Sequence, residues 1–438
     1  MFGYYFQLAL HSFKRSPGLT ALMILIMGFG VASSMTTYAV FRAVSGNPIP
    51  DKSSQLFVPQ IDNRGPQSGA TRAALPDALT YTDAMALMRA REAKRQTAIY
   101  PVVYNVVPQD ASQPPFSANA YAAYADFFTM FEVPFRYGTG WTDADDLHHA
   151  NAIVISDPLN QKLFAGVNSV GRMVDVDGHD YRVVGVTADW NPQPRYYDVN
   201  NGFGFADAPN FFLPFTRAID MQTGTNGNNS CAYAPTFAPG WDGMLHSECV
   251  WVSFWVELPD VAAVQHYQQF LTSYATEQQR SGRFRWAANV RLDDMMHWLD
   301  REGAVPPETK VSLLVAIGFL LVCLVNTVGL LLAKIMRRAG EIGVRRALGA
   351  SRGEIYRQFI AEAAMVGVAS AALGLGLTAL GVLGTSAVFE PEIARLASIN
   401  VSLVILTLLV SMTTTVLAAF YPAWRAARVQ PSWQLKSH

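Results

Sequence analysis

The chain has 438 residues, 50% of them hydrophobic and only 15% charged, well under the roughly 25% charge of an ordinary soluble domain, and its mean hydropathy is +0.15. That balance excludes a wholly soluble globular protein and points to membrane spans joined to a polar domain. With 33 basic against 34 acidic residues the net charge is -1, so total charge identifies no partner and marks no nucleic-acid surface.

Phe2, Tyr5, Phe6, Ala9 and Phe13 fall at helical spacing. Residues 1–17 therefore read as an interfacial helix on the inner leaflet, or as an extension of the first span. Residues 18–41 form a charge-free apolar run long enough to cross the hydrocarbon core. The run is too long for the apolar core of a signal peptide, so the small residues Ala32-Ser33-Ser34 are read as part of the span.

Residues 42–310 form one external region of interleaved strands and helices, an α+β pattern, with a strand-rich inserted subdomain over about 145–250. Strands are expected at 152–156, 172–176, 181–186 and 251–258, and Asp177-Gly178-His179 marks a hairpin turn. Helices are expected at 81–95, 157–164, 261–279 and 292–302, and the Gly-, Asn- and Pro-rich stretch 200–240 reads as long loops. Cys231 and Cys249 are the only external cysteines, and in an oxidising setting a disulfide between them is expected. The spacing of His246 and Cys249 also suits zinc, but the disulfide accounts better for Cys249. His148 and His149 beside Asp143, Asp145 and Asp146 read as a solvated acidic loop, so no metal site is assigned.

Three further apolar runs follow, at 311–333, 359–389 and 399–421, giving four transmembrane helices, one N-terminal and three C-terminal. The segment between the second and third, residues 334–358, carries Lys334, Arg337, Arg338, Arg345, Arg346, Arg352 and Arg357 against Glu341 and Glu354. The positive-inside rule places this segment in the cytoplasm. Lys14 and Arg15 before the first span put the N-terminus on the same side, and Arg425, Arg428 and Lys436 do the same for the tail, residues 422–438. The loop 390–398 is then external. In the third span Gly367, Gly374 and Gly381 recur every seven residues. Such a stripe lets helices approach closely, either within this chain's bundle or between subunits. Cys323 reads as a small core residue of the second span. Glu362 is the only acid near a span, and no ion pair is evident among the spans, which argues against ion-driven secondary transport.

No phosphate-cradling G-x-x-x-x-G-K-[ST], no H-E-x-x-H and no paired C-x-x-C occurs in these residues, and no Ser/His/Asp arrangement stands out. No catalytic site is assigned.

The stretch Glu341-Ile342-Gly343-Val344-Arg345-Arg346-Ala347-Leu348-Gly349-Ala350 resembles the signature of the FtsX/MacB-type ABC transporter permease family. Asp126-Phe127-Phe128, Val133-Pro134-Phe135, the strands at 152–156 and 181–186, and Tyr421-Pro422-Ala423-Trp424 resemble the same family. The likeness implies a permease of an inner-membrane complex in which a separate cytoplasmic ATPase dimer, with its ATP and magnesium, drives motion of the spans. The motion would pass through a stalk, formed by residues from 41 onward and by 292–310 with Trp298, to the external domain, and so drive export. The permease would pair with a second copy or a paralogue, contact membrane lipids, and engage a periplasmic adaptor and outer-membrane channel. Residues 334–358 would dock into the ATPase, with Glu341, Arg345, Arg346 and Arg352 in polar contacts and Gly343 and Gly349 allowing close approach or a helix end. The alternatives within the family are signal transmission to a partner such as a cell-wall hydrolase, and lipoprotein release. For the arginines alone, topology marking and headgroup contact are the simpler reading.

Overall fold

The computed structural model describes residues 16–65, 75–110, 112–202, 204–231, 239–385 and 400–428. The expected interfacial helix, the loop 390–398 and the end of the tail lie outside these. The chain divides into two units: Gly46–Ala304, and Met1–Ser45 together with Val305–His438.

The second of these units holds the apolar helices. In chain order α1 (Pro17–Ser45) precedes the α/β unit. The α/β unit contributes β1 (Leu56–Ile61), β2 (Leu79–Thr80), α2 (Tyr81–Ala90), β3 (Arg95–Val107), β4 (Phe116–Ala123), α3 (Asp126–Met130), β5 (Phe135–Gly138) and α4 (Asp143–Leu147). It continues with β6 (Ala152–Ile155), α5 (Asp157–Phe164), β7 (Met173–Val176), β8 (His179–Thr187), β9 (Phe211–Pro214), α6 (Phe215–Asp220), α7 (Trp241–Leu245), β10 (Val250–Glu257), α8 (Val261–Arg280), β11 (Val290–Asp294) and α9 (Met295–Arg301). Then come α10 (Pro307–Arg337), α11 (Ala339–Ala347), α12 (Arg352–Thr385) and α13 (Val401–Ala427).

One mixed sheet organises the α/β unit, in the order β11-β1-β10-β3-β4-β9-β6-β8-β5, with β2 beside β10 and β7 bridging β3 and β8. Two pairings are parallel, β4 with β9 and β6 with β8. Successive side chains of a strand point to opposite faces, and here both faces are apolar. Tyr100, Val102, Tyr104, Ala120, Ile153 and Phe211 join one core with α2, α5, α6 and α8. Ile99, Tyr121, Val154 and Phe212 join the other with α3 and α9. A sheet covered on both sides reads as near-continuous apolar runs, which is why all eight residues of β10 are buried. Each fully buried Phe or Leu of these layers contributes roughly 1.5–3 kcal/mol of transfer free energy.

The β7–β8 hairpin forms at the expected place. Val176 pairs with His179, and Asp177 and Gly178 between them take φ of 49° and 78°, the two left-handed residues of a type I′ turn. Other expectations are corrected. The helix expected over 81–95 stops at Ala90, where Arg91 takes a left-handed cap, and Arg95 already opens β3. The loop region 200–240 contains β9 and α6, because Phe211–Pro214 finds a parallel partner in β4. Strands from 145–250 belong to the one sheet and build no sheet of their own. Leu292 is in β11 opposite Pro59, and Trp298 is buried in a core of the α/β unit. The acidic stretch 143–146 is α4, opened by a capping box at Thr142, and its Asp146 is buried.

In the helical unit α1 packs on α10, α12 and α13. Helix α10 turns Ala316, Leu320, Cys323, Thr327 and Leu331 inward at helical spacing, while Val311, Leu314, Val315, Val322 and Val325 are exposed. An apolar outer face of this length suits hydrocarbon, where helices satisfy their own backbone. Four helices are long and apolar enough to cross a membrane among the described residues.

Candidate coupling site at the arginine-rich helix ends

Helix α10 ends at Arg337, and Arg338, with φ -106° and ψ 10°, is the single residue between it and α11. Helix α11 ends because Gly349 takes φ +103°, a conformation that costs other residues strain. The chain restarts at once: Ser351 Oγ accepts from the Glu354 amide at 3.2 Å, and Glu354 Oε2 accepts from the Ser351 amide at 2.8 Å. This S-x-x-E capping box fixes the start of α12. Its S-x-x-E spacing is readable in the sequence.

Helix α11 is a short amphipathic rod. Ile342 and Gly343 face inward, and Ile342 packs with Ile335, Ile355, Phe359, Ala423 and Ala426. Its polar groups also turn inward. Arg345 Nη2 donates to Glu341 Oε1 at 2.6 Å and its Nη1 to Gln358 Oε1 on α12 at 3.1 Å. Arg346 Nη1 donates to the Ala427 carbonyl at the end of α13 at 3.2 Å. Arg338 Nη1 donates to Glu362 Oε1 at 3.0 Å. Arg345 and Arg346, expected in polar contacts with a partner, instead tie α11 to its own bundle, and Glu341 pairs with Arg345 within the helix.

What α11 leaves outside is mostly apolar. Val344 is 58% and Leu348 83% exposed, with Met336 also exposed nearby in sequence. Arg337, Arg352 and Arg357 are exposed as well. Exposed Val and Leu in an arginine-rich segment make a surface suited to docking protein, since apolar groups drive association and cations set its register.

An ion pair overlooked in the sequence lies here. Lys334 and Glu362, 2% and 4% exposed, face each other at 3.9 Å. It sits in the last turns of α10 and the early turns of α12, so it marks the arginine-rich end and no mid-span ion path.

The glycine stripe is used within this chain. A Cβ on Gly367 would lie 3.1 Å from Met412 Cα of α13, and one on Gly374 or Gly381 would meet Val31 at 3.3 Å or Thr36 at 2.6 Å on α1. The glycines are notches that seat α13 and α1 against α12.

In the α/β unit Cys231 and Cys249 form a disulfide. Burial pushes the Asp146 and Asp198 carboxyls up to about 7. A raised carboxyl can mark a functional site, but both have structural work. Asp146 accepts from the Ala125 amide at 2.7 Å and from Trp141 Nε1 at 3.0 Å. Asp198 accepts from the Tyr121 hydroxyl and from Asn201. Among the described residues no three His, Cys, Asp or Glu side chains form a cluster able to hold a metal.

Comparison with known proteins agrees in both units. Residues 20–274 match the MacB-like periplasmic core domain and residues 313–431 match the FtsX-like permease C-terminal domain. Over 308 residues the chain is 26% identical to the probable syringafactin export ATP-binding/permease protein SyfD of Pseudomonas syringae pv. tomato, covering 70% of this chain and 40% of that protein. Over 307 residues it is 25% identical to the macrolide export ATP-binding/permease protein MacB of Burkholderia lata, covering 70% and 39%. The chain thus spans about two-fifths of the length of these relatives. The crystallised periplasmic region of MacB from Actinobacillus actinomycetemcomitans aligns with 57% of this chain and 94% of its own at 15% identity and a TM-score of 0.36. With one domain model covering the first span and most of the α/β unit and another covering the C-terminal helices, the chain belongs to the MacB/FtsX family of ABC transporter permeases.

Proposed function

We propose that this chain is the permease part of an inner-membrane export complex, and that α11 is where an ATP-binding subunit pushes on it. The observation that carries the reading is the surface of α11. Its Arg345 and Arg346 donate to α12 and to the end of α13, and Val344 and Leu348 stand exposed at its outer face. The excess of arginine around it supports a cytoplasmic position for this end, where ATP is. ATP and magnesium would be held by that ATP-binding subunit. ATP-driven closure of a dimer of such subunits would displace α11 and the spans, and a second permease, identical or paralogous, would complete the dimer. The names of the relatives speak of export and of ATP-binding modules, which supports export over signal transmission to a periplasmic enzyme.

The test is coupling. The full-length chain is co-expressed with an ABC ATP-binding subunit that co-purifies with it, and ATP turnover is measured in lipid nanodiscs. Val344→Asp with Leu348→Asp should abolish co-purification and permease-stimulated turnover while the chain stays folded. Unchanged stimulation by that variant would refute docking through α11.

A further inference from the structure

The joint between α10 and α11 is tied to a carboxylate on α12. Glu362 lies inside α12, 4% exposed, and its Oε1 accepts from Arg338 Nη1 at 3.0 Å. Its Oε2 faces Lys334 Nζ of α10 at 3.9 Å. Lys334 in turn donates to Thr20 Oγ1 of α1 at 3.2 Å. Arg338, the single residue between α10 and α11, also faces Glu341 Oε2 of α11 at 3.6 Å. Polar contacts therefore run unbroken from α11, through its joint, to α12, α10 and α1.

The apolar seam around Ile342 cannot do this alone. Arg345 and Arg346 tie α11 to Gln358 of α12 and to the Ala427 carbonyl of α13, but neither bond reaches the joint between α10 and α11. Charge-assisted hydrogen bonds are directional. A buried charge that loses its partner is strongly disfavoured, so the joint cannot open cheaply.

We propose that Glu362 is a positioning residue that clamps the α10–α11 joint, so that α11 and the adjoining ends of α1, α10 and α12 move as one body. This rests on the reading of α11 as the docking helix for its significance. The clamp itself is a property of this chain and is tested without any ATP-binding subunit.

The experiment is amide hydrogen exchange of the full-length chain in lipid nanodiscs. In Glu362→Gln the amides of residues 339–347 should exchange about tenfold faster or more, while those of residues 405–415 in α13 stay as in the native chain. Glu362→Asp, which keeps the charge, should fall between. Arg338→Gln frees the joint but leaves Lys334 facing Glu362, so it should speed α11 equally and spare α10. This second variant decides the matter if Glu362→Gln does not fold. Exchange of α11 within about twofold of native in Arg338→Gln overturns the clamp. So does a rise spread equally over all four spans in Glu362→Gln, which would make Glu362 a support of the whole bundle. Neither result depends on whether Leu348 docks a partner, so the clamp and the docking reading fail separately.

Discussion

The two units place charge in opposite ways. The α/β unit scatters its buried ions through the sheet. Glu257, fully buried, holds Lys94 at 2.7 Å, Arg95 at 3.1 Å and Lys52 at 3.3 Å. Asp83 and Glu248 each take Arg283 at 2.6 Å. The helical unit buries small hydroxyls and glycines along its length, exposes Leu and Val to lipid, and gathers its buried ions at one end, in Lys334, Arg338 and Glu362. The difference follows from the solvent. Water offers the rim of a sheet an exit for every polar group, whereas hydrocarbon does not. A membrane bundle can therefore afford a dense ionic joint only near its ends, which is where a soluble partner can reach it.

The largest effect should come from the sheet's layered core. Phe127 is fully buried against Phe131, Tyr197 and Phe212. Phe127→Ala should cost about 3–5 kcal/mol, read as loss of the tryptophan-emission unfolding midpoint of the α/β unit, with the spans still inserted. If the cost is under about 1 kcal/mol, the two-faced core is not what holds this unit. The matching change in the bundle is smaller. Gly374→Leu overfills the notch against Val31 and Gly28 and should cost about 1–3 kcal/mol, seen as a lower melting temperature in detergent. An unchanged melting temperature would mean that α1 and α12 do not pack through this glycine.

A pH scan separates the units further. Asp198 is raised from 3.8 to about 7 by burial. The folded unit therefore keeps that proton up to about pH 7, while the unfolded chain releases it near its ordinary value. The stability this group contributes is fully present below the unfolded value and is lost as pH rises through about 7. Asp198→Asn should flatten the decline between those limits, as measured by urea unfolding at stepped pH. An equally steep decline in the variant would assign it elsewhere, Asp146 first.

Much of this was legible in the sequence. Apolar runs, the third carrying Glu362, located the four spans, Asp177-Gly178 located the hairpin, and aromatic and β-branched residues located β10. The misses share a cause. The Ala-rich β4 has no strong propensity and is a strand because β3 and β9 flank it. Phe211–Pro214 was hidden by its Gly- and Asn-rich surroundings. Lys334 and Glu362 are 28 residues apart, and only the packing of α10 on α12 brings them together. For α11, the sequence assigned Glu341, Arg345 and Arg346 to polar contacts with a partner, whereas in the structure Arg345 and Arg346 donate to α12 and to the end of α13. The arginine and glutamate that form an i, i+4 pair on a helix face satisfy each other, which leaves the neighbouring Val and Leu as the outward surface.

The most direct measurement is site-specific photocrosslinking from that surface. A photoreactive residue at Leu348 or Val344 in the full-length chain, in membranes with its ATP-binding subunit, should crosslink to that subunit. One at Leu417, exposed on α13 within a span, should not. Crosslinking from Leu348 and not from Leu417 is the result expected of a docking helix. Absence of any crosslink from both Val344 and Leu348, in a complex that still hydrolyses ATP, would contradict it.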